Sequence, residues 1–168
     1  MPDSSDQAAP SQSVASQSAP SSGVGAGRPG VWRGFGWGVA ATIAMSIPMI
    51  IGMATGVAPM PEPIPKALVA LIFGGGLPAP LLMALSAGSH LGYGGVFGAL
   101  LARLYPEAGL WGGLGLGAFL WLVMQVAVLP LLGWGLFGLS ITPKIAVATL
   151  VLHLIYGATL GWGLGREL

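Results

Sequence analysis

The sequence HLGYGGVFGALLAR, at residues 90–103, is repeated as HLIYGATLGWGLGR at residues 153–166. The histidine, the tyrosine, two glycines and the arginine of the second copy each lie 63 residues after their counterparts in the first copy. Both copies belong to long uncharged segments, and ~20 apolar residues in a helix are enough to cross the ~30 Å hydrocarbon core of a bilayer. The repeat therefore predicts two membrane-spanning helices related by an internal duplication, with one histidine in each.

The composition supports a membrane protein and excludes several other classes. Hydrophobic residues make up 54% of the 168 residues and charged residues 7%, whereas soluble domains carry ~25% charged residues. A net charge of +1 gives no basic patch for nucleic acid. The chain has no cysteine, which excludes disulfides, thiolate catalysis and cysteine-bound metals.

The first 33 residues differ from the rest of the chain. Residues 1–29 hold eight serines, three glutamines and four prolines, with no aromatic residue. Such a segment buries too little apolar surface to offset the entropy lost on ordering. We therefore expect residues 1–33 to form a disordered Ser/Gln/Pro-rich tail in the cytoplasm.

Residues 34–168 predict an all-α transmembrane domain. Uncharged segments indicate four spans at about 34–57, 80–101, 110–132 and 145–164. Alternating prolines from Pro59 to Pro65 predict an extended loop, because proline restricts both its own backbone and that of the preceding residue. A short interfacial or re-entrant helix is expected at 66–73. The predicted fold is a four-transmembrane-helix bundle built from two duplicated helical hairpins.

The basic residues predict the orientation of the bundle. They form two groups on opposite sides of the predicted membrane. The larger group is Arg28, Arg33, Arg103 and Arg166, and the smaller group is Lys66 and Lys144. Lysine and arginine are enriched in cytoplasmic loops. A multi-pass protein of the inner (plasma) membrane with both termini in the cytoplasm is expected, and reporter fusions at residue 168 and in the proline loop test this orientation.

Small residues recur every four positions in both copies of the repeat. The stripes contain Gly94 and Gly98 in one copy and Gly157 and Gly161 in the other. Small-residue stripes let helix backbones approach closely, and close packing drives helix association in lipid. We expect the second and fourth spans to meet along these stripes.

Polar residues are expected in one layer of the bundle. Each histidine lies 13 residues before the arginine that ends its repeat, or ~20 Å at 1.5 Å per residue. An unsatisfied polar group in hydrocarbon costs several kcal/mol, so these side chains should face inward and bond one another. One polar residue from each span lies near this depth, with a tyrosine beside each histidine: His90, His153, Ser46 and Gln125, then Tyr93 and Tyr156.

Three interpretations of this polar layer remain open. It is a hydrogen-bond network that fixes helix register, a bis-histidine haem b site with His90 and His153 as axial ligands, or a small proton or solute pathway. A Soret band in the visible spectrum would indicate haem.

The methionines Met45, Met49 and Met53 suggest either a copper or haem ligand set or a flexible packing stripe, and packing is favoured. No nucleophile–base pair or carboxylate pair suitable for catalysis is evident inside the membrane, so a non-enzymatic membrane protein is expected.

The stretches HLGYGGVFGALLARLYP and LHLIYGATLGWG, with a glycine-led first helix ending in Met and Pro, resemble a group of small prokaryotic four-helix membrane proteins, loosely YagU-like. The resemblance covers roughly residues 34–166. It implies an integral inner-membrane protein with an envelope or acid-stress role, and it assigns no catalytic residue. Expected partners are the lipid bilayer and either further copies of the chain or another membrane protein.

Overall fold

The computed structural model of the protein describes residues 30–166, and within that range all regular structure is helical. Residues 1–29 of the predicted tail lie outside the described residues. The first helix begins at Val31, three residues before the predicted start of the transmembrane domain. The backbone N–H groups of Arg33 and Gly34 donate to the carbonyl of Gly30 at 2.8 and 3.1 Å, which closes the first helical turn before residue 34.

Six α-helices form the described chain. Their bounds are α1 Val31–Ala54, α2 Ile64–Phe73, α3 Ala79–Leu104, α4 Leu110–Val123, α5 Leu129–Leu131 and α6 Lys144–Gly165. A π turn, Met124–Val128, joins α4 to α5, and a 3-10 turn, Leu136–Gly138, precedes α6. The helix expected at 66–73 is present as α2, which follows the extended proline loop and includes Ile64 and Pro65.

Three helical segments are long and apolar enough to cross a membrane: Val31–Ala54, Leu110–Leu131 and Lys144–Gly165. The second predicted span is also a helix, α3, with 26 residues. Its serines, glycines and His90 make it less apolar, and it is not among the three. Large apolar side chains such as Ile47 and Val147 are 55% and 66% exposed, as expected of helices that face lipid.

The glycine stripes pack differently from the sequence prediction. A Cβ added at Gly98 would meet the carbonyl oxygen of Gly34 on α1, and one added at Gly157 would meet that of Gly113 on α4. The stripes therefore do not join α3 to α6. Each packs against the preceding long helix because α1 and α4 carry their own small residues at the contact, so both backbones can approach.

Helices α1 and α6 join the two packed pairs. Trp37 on α1 lies over Gly163 on α6, where an added Cβ would collide with the indole ring. The same indole meets Trp162 edge-on, with ring centroids 6.0 Å apart. Buried side chains of the main core come from α1, α3, α4 and α6, including Ala41, Ala102, Leu120 and Leu160.

Candidate ligand-binding cavity

A cavity of about 180 Å³ lies among the long helices. Residues of α1, the proline loop, α2, α3, α4, the π turn and α6 form its wall. Most of the wall is aliphatic or methionine. The polar side chains on it are Thr42, Ser89, His90, Tyr93, Thr149, His153 and Tyr156. The fold thus places both histidines and both tyrosines of the repeat at one cavity.

His90 reaches the cavity from α3. Its Nε2 atom is buried and has no hydrogen-bond partner among residues 30–166. Buried polar atoms nearly always have a partner, and leaving one without a partner costs ~1–3 kcal/mol. An unpaired nitrogen on a cavity wall is therefore a candidate ligand-binding atom.

His153 reaches the same cavity from α6, and its orientation is set by its own helix. Its Nδ1 atom lies 2.8 Å from the carbonyl oxygen of Thr149. Because a carbonyl oxygen only accepts hydrogen bonds, Nδ1 carries the proton and donates it. In the neutral ring the lone pair is then on Nε2.

Thr149 forms hydrogen bonds with both His153 and Gln125, the polar residue predicted in the third span. Its hydroxyl donates to the carbonyl of Ile145 at 2.7 Å and accepts a hydrogen bond of 2.8 Å from Gln125 Nε2. Gln125 is fully buried in the π turn, and its Oε1 atom has no partner within the described chain. Gln125 does not line the cavity, but it contacts the cavity wall through its hydrogen bond to Thr149.

The expected mutual bonding of the polar layer was wrong, because no hydrogen bond within residues 30–166 joins any two of its four members, Ser46, His90, Gln125 and His153. Ser46 does not line the cavity, and its hydroxyl donates to the carbonyl of Thr42 on its own helix at 2.7 Å. A serine in a helix can satisfy itself in this way, so depth alone does not bring it to other polar groups. His153 and Gln125 both bond Thr149 instead, at its carbonyl and its hydroxyl.

The two tyrosines have different roles. The Tyr156 hydroxyl donates to the carbonyl of Gly94 at 2.7 Å, which ties α6 to α3 beside the cavity. Tyr93 is 45% exposed, and its ring packs against Phe97 with centroids 4.6 Å apart. Of the two tyrosines, therefore, Tyr156 is the one whose hydroxyl bonds another helix.

Sequence reasoning missed several of the cavity residues, including two threonines and two methionines. Thr42 and Thr149 were not singled out, although Thr149 lies one helical turn before His153 and so shares its face. Met60 and Met124 were also missed, because they belong to the proline loop and the π turn. Neither segment has a periodicity from which a side-chain direction can be predicted.

Comparison of the chain with protein-family models, curated proteins and solved structures finds no match. The YagU-like resemblance is therefore still an expectation.

Proposed function

We propose that this chain is a non-enzymatic integral membrane protein that holds a small ligand in the cavity between its helices. The observation that carries the proposal is that His90 and His153, from two different helices, line one cavity of about 180 Å³. A cavity of ~150 Å³ in a protein core holds a benzene-sized molecule. Largely apolar walls with a few convergent polar groups are typical of ligand sites.

In this proposal α3 is a fourth transmembrane helix. Its 26 residues extend ~39 Å at 1.5 Å per residue, which exceeds the hydrocarbon core. Its polar residues Ser86 and His90 lie on the protein side, where Ser86 is only 6% exposed and donates to the carbonyl of Leu82 at 2.6 Å. The excess of basic residues on one side of the bundle supports an inner-membrane protein with both termini in the cytoplasm.

The proposal also includes a duplication of one helical hairpin. An added Cβ at Gly38 would meet the carbonyl of Gly94, and one at Gly113 would meet the carbonyl of Gly157. These contacts support two equivalent packed pairs, α1 with α3 and α4 with α6. They favour Gly113 as the position of the second hairpin that is equivalent to Gly38.

Haem b is the second candidate, because two histidines at one cavity are the arrangement that bis-histidine ligation needs. The cavity is smaller than the ~300–1,000 Å³ of drug-sized ligand sites, and haem is itself larger than most such ligands. The volume therefore favours a smaller ligand. The same wall would serve a small proton or solute pathway only if water reached it from both sides of the membrane.

Access to the cavity can be tested by thiol labelling, since the chain has no cysteine. We expect a Met49→Cys variant in lipid nanodiscs to react with methyl methanethiosulfonate many times faster than Ala41→Cys, measured by mass spectrometry. Met49 lines the cavity, whereas Ala41 is on the same helix, fully buried and outside the lining. Reaction needs a solvated thiolate. Equally slow labelling of both variants would mean that small solutes do not reach the cavity.

A further inference from the structure

More than half of the methionines in the chain line the cavity. Of seven methionines, four line this one cavity: Met45 and Met49 on α1, Met60 in the proline loop and Met124 in the π turn. Three separate segments thus direct thioethers to the wall that also carries His90 and His153. Met53, which the sequence grouped with Met45 and Met49, is outside it and packs against the buried cluster of Met60, Leu129 and Ile145.

The nitrogen donors on this wall are available for coordination. His90 Nε2 is buried without a hydrogen-bond partner among the described residues. His153 donates from Nδ1 to the carbonyl of Thr149, which leaves the Nε2 lone pair available. A ring that donates its other N–H to a backbone carbonyl is the usual arrangement of a metal-ligating histidine, because that bond fixes the tautomer and the ring direction.

We propose that the cavity binds a soft monovalent metal ion, Cu(I), through His90 and His153 and one or more of the four methionines. This inference rests on the proposed function and specifies its ligand. Thioethers select Cu(I), and imidazole is also a good copper ligand. All of these donors are neutral, so a bound Cu(I) leaves a single positive charge in an apolar surrounding.

Charge and donor type both disfavour divalent ions at this site. The cost of moving an ion out of water rises steeply with its charge, and the cavity lining contains no carboxylate to offset a second charge. Zn²⁺ in proteins is held by cysteine, histidine and carboxylates. Over residues 30–166 no cluster of three such side chains is present. The site thus discriminates by the number of charges as well as by the softness of its donors.

The experiment offers Cu(I) as its bicinchoninate complex to the full-length protein in detergent under anaerobic, reducing conditions. Wild-type protein should remove one Cu(I) per chain, measured by the fall in absorbance of the complex. Zn²⁺ offered to a zinc-sensitive dye should stay with the dye. His90→Leu/His153→Leu should weaken Cu(I) binding by ~10-fold or more, the scale on which disturbing a metal site acts.

Methionine variants keep the test valid if the histidine variant fails to fold. Leucine replaces methionine with little change in volume, so Met49→Leu/Met124→Leu should fold normally and still bind Cu(I) more weakly. Met83→Leu is the matched control, because Met83 is on α3, 57% exposed and outside the cavity. X-ray absorption should show nitrogen and sulfur around copper in wild type, with less sulfur in the double methionine variant.

The outcomes separate this inference from the proposed function. Rapid labelling of Met49→Cys with no Cu(I) uptake, or with uptake equal in wild type and both double variants, would overturn the copper assignment and leave a cavity open to small solutes. Slow labelling and no Cu(I) uptake together would overturn both. Stronger binding of Zn²⁺ than of Cu(I) would contradict the charge argument.

Discussion

Replacing Gly98 by alanine should lower the free energy of unfolding in detergent by ~1–3 kcal/mol, the usual cost of overpacking. The added methyl group would meet the carbonyl oxygen of Gly34 and lie 2.8 Å from the Cα of Gly38. Both are backbone atoms of α1, so the steric clash is relieved only if α1 and α3 move apart. Replacement of Gly161 should act similarly, since its Cβ would lie 2.7 Å from the carbonyl oxygen of Gly109.

Gly92→Ala is the matched control for this prediction. Gly92 is in the same helix, α3, but an added Cβ there has no atom within 4 Å. Glycine in a helix interior is less favourable than alanine by ~0.8–1 kcal/mol, so Gly92→Ala should leave stability unchanged or raise it. Chemical unfolding followed by circular dichroism measures both variants. Equal effects of Gly92→Ala and Gly98→Ala would contradict the close packing of α1 and α3.

Thr149→Val should also destabilise the protein, by ~1–3 kcal/mol. Thr149 is 2% exposed, and valine has its shape without the hydroxyl. Gln125 Nε2 would lose its acceptor in a fully buried position, and an unpaired buried donor bears the full desolvation cost. Unfolding in detergent measures the loss, and Thr149→Ser, which retains the hydroxyl, should recover most of it.

A double substitution tests the cause of that loss. Gln125→Leu removes the amide, including the Oε1 atom that already has no partner in the described part of the chain. Combined with Thr149→Val, it should cost clearly less than the sum of the two single changes, because neighbours that share a hydrogen bond are not additive. Strict additivity would mean that the Gln125–Thr149 bond contributes nothing to stability.

Much of the secondary structure could be predicted from the sequence, because its signals are local. Uncharged runs and alternating prolines indicated the long helices and the loop before α2. The partner of each glycine stripe could not be predicted, since a smooth surface at Gly94 or Gly157 indicates close approach without saying to which helix. Sequence matching suggested a pairing across the halves, whereas small residues at Gly34 and Gly113 decide the contacts within each half.

The candidate site was predicted only in part, because some of its residues lie outside regular helices. Equal spacing from the terminal arginines brought His90 and His153 to one depth, and the structure places both at one cavity. The positions of Met60 and Met124 depend on an extended loop and a π turn, which have no helical period. Ser46 shares the depth of the histidines but bonds its own helix, because depth alone does not fix the direction of a side chain around the helix axis.

If His90 and His153 face one cavity, spin labels at these two positions must lie close together, and the distance between the labels is the most direct test. The variant His90→Cys/His153→Cys is labelled in nanodiscs, with Ala87→Cys/Val151→Cys as the control pair. Ala87 and Val151 are exposed on the same two helices and do not line the cavity. Because α3 and α6 both pack against α1 and the axes of neighbouring helices are ~8–10 Å apart, we predict that the histidine-position labels lie within ~20 Å. We also predict that they lie closer together than the labels of the control pair. A separation well beyond ~20 Å, or one equal to that of the control pair, would show that the two histidines do not share a cavity.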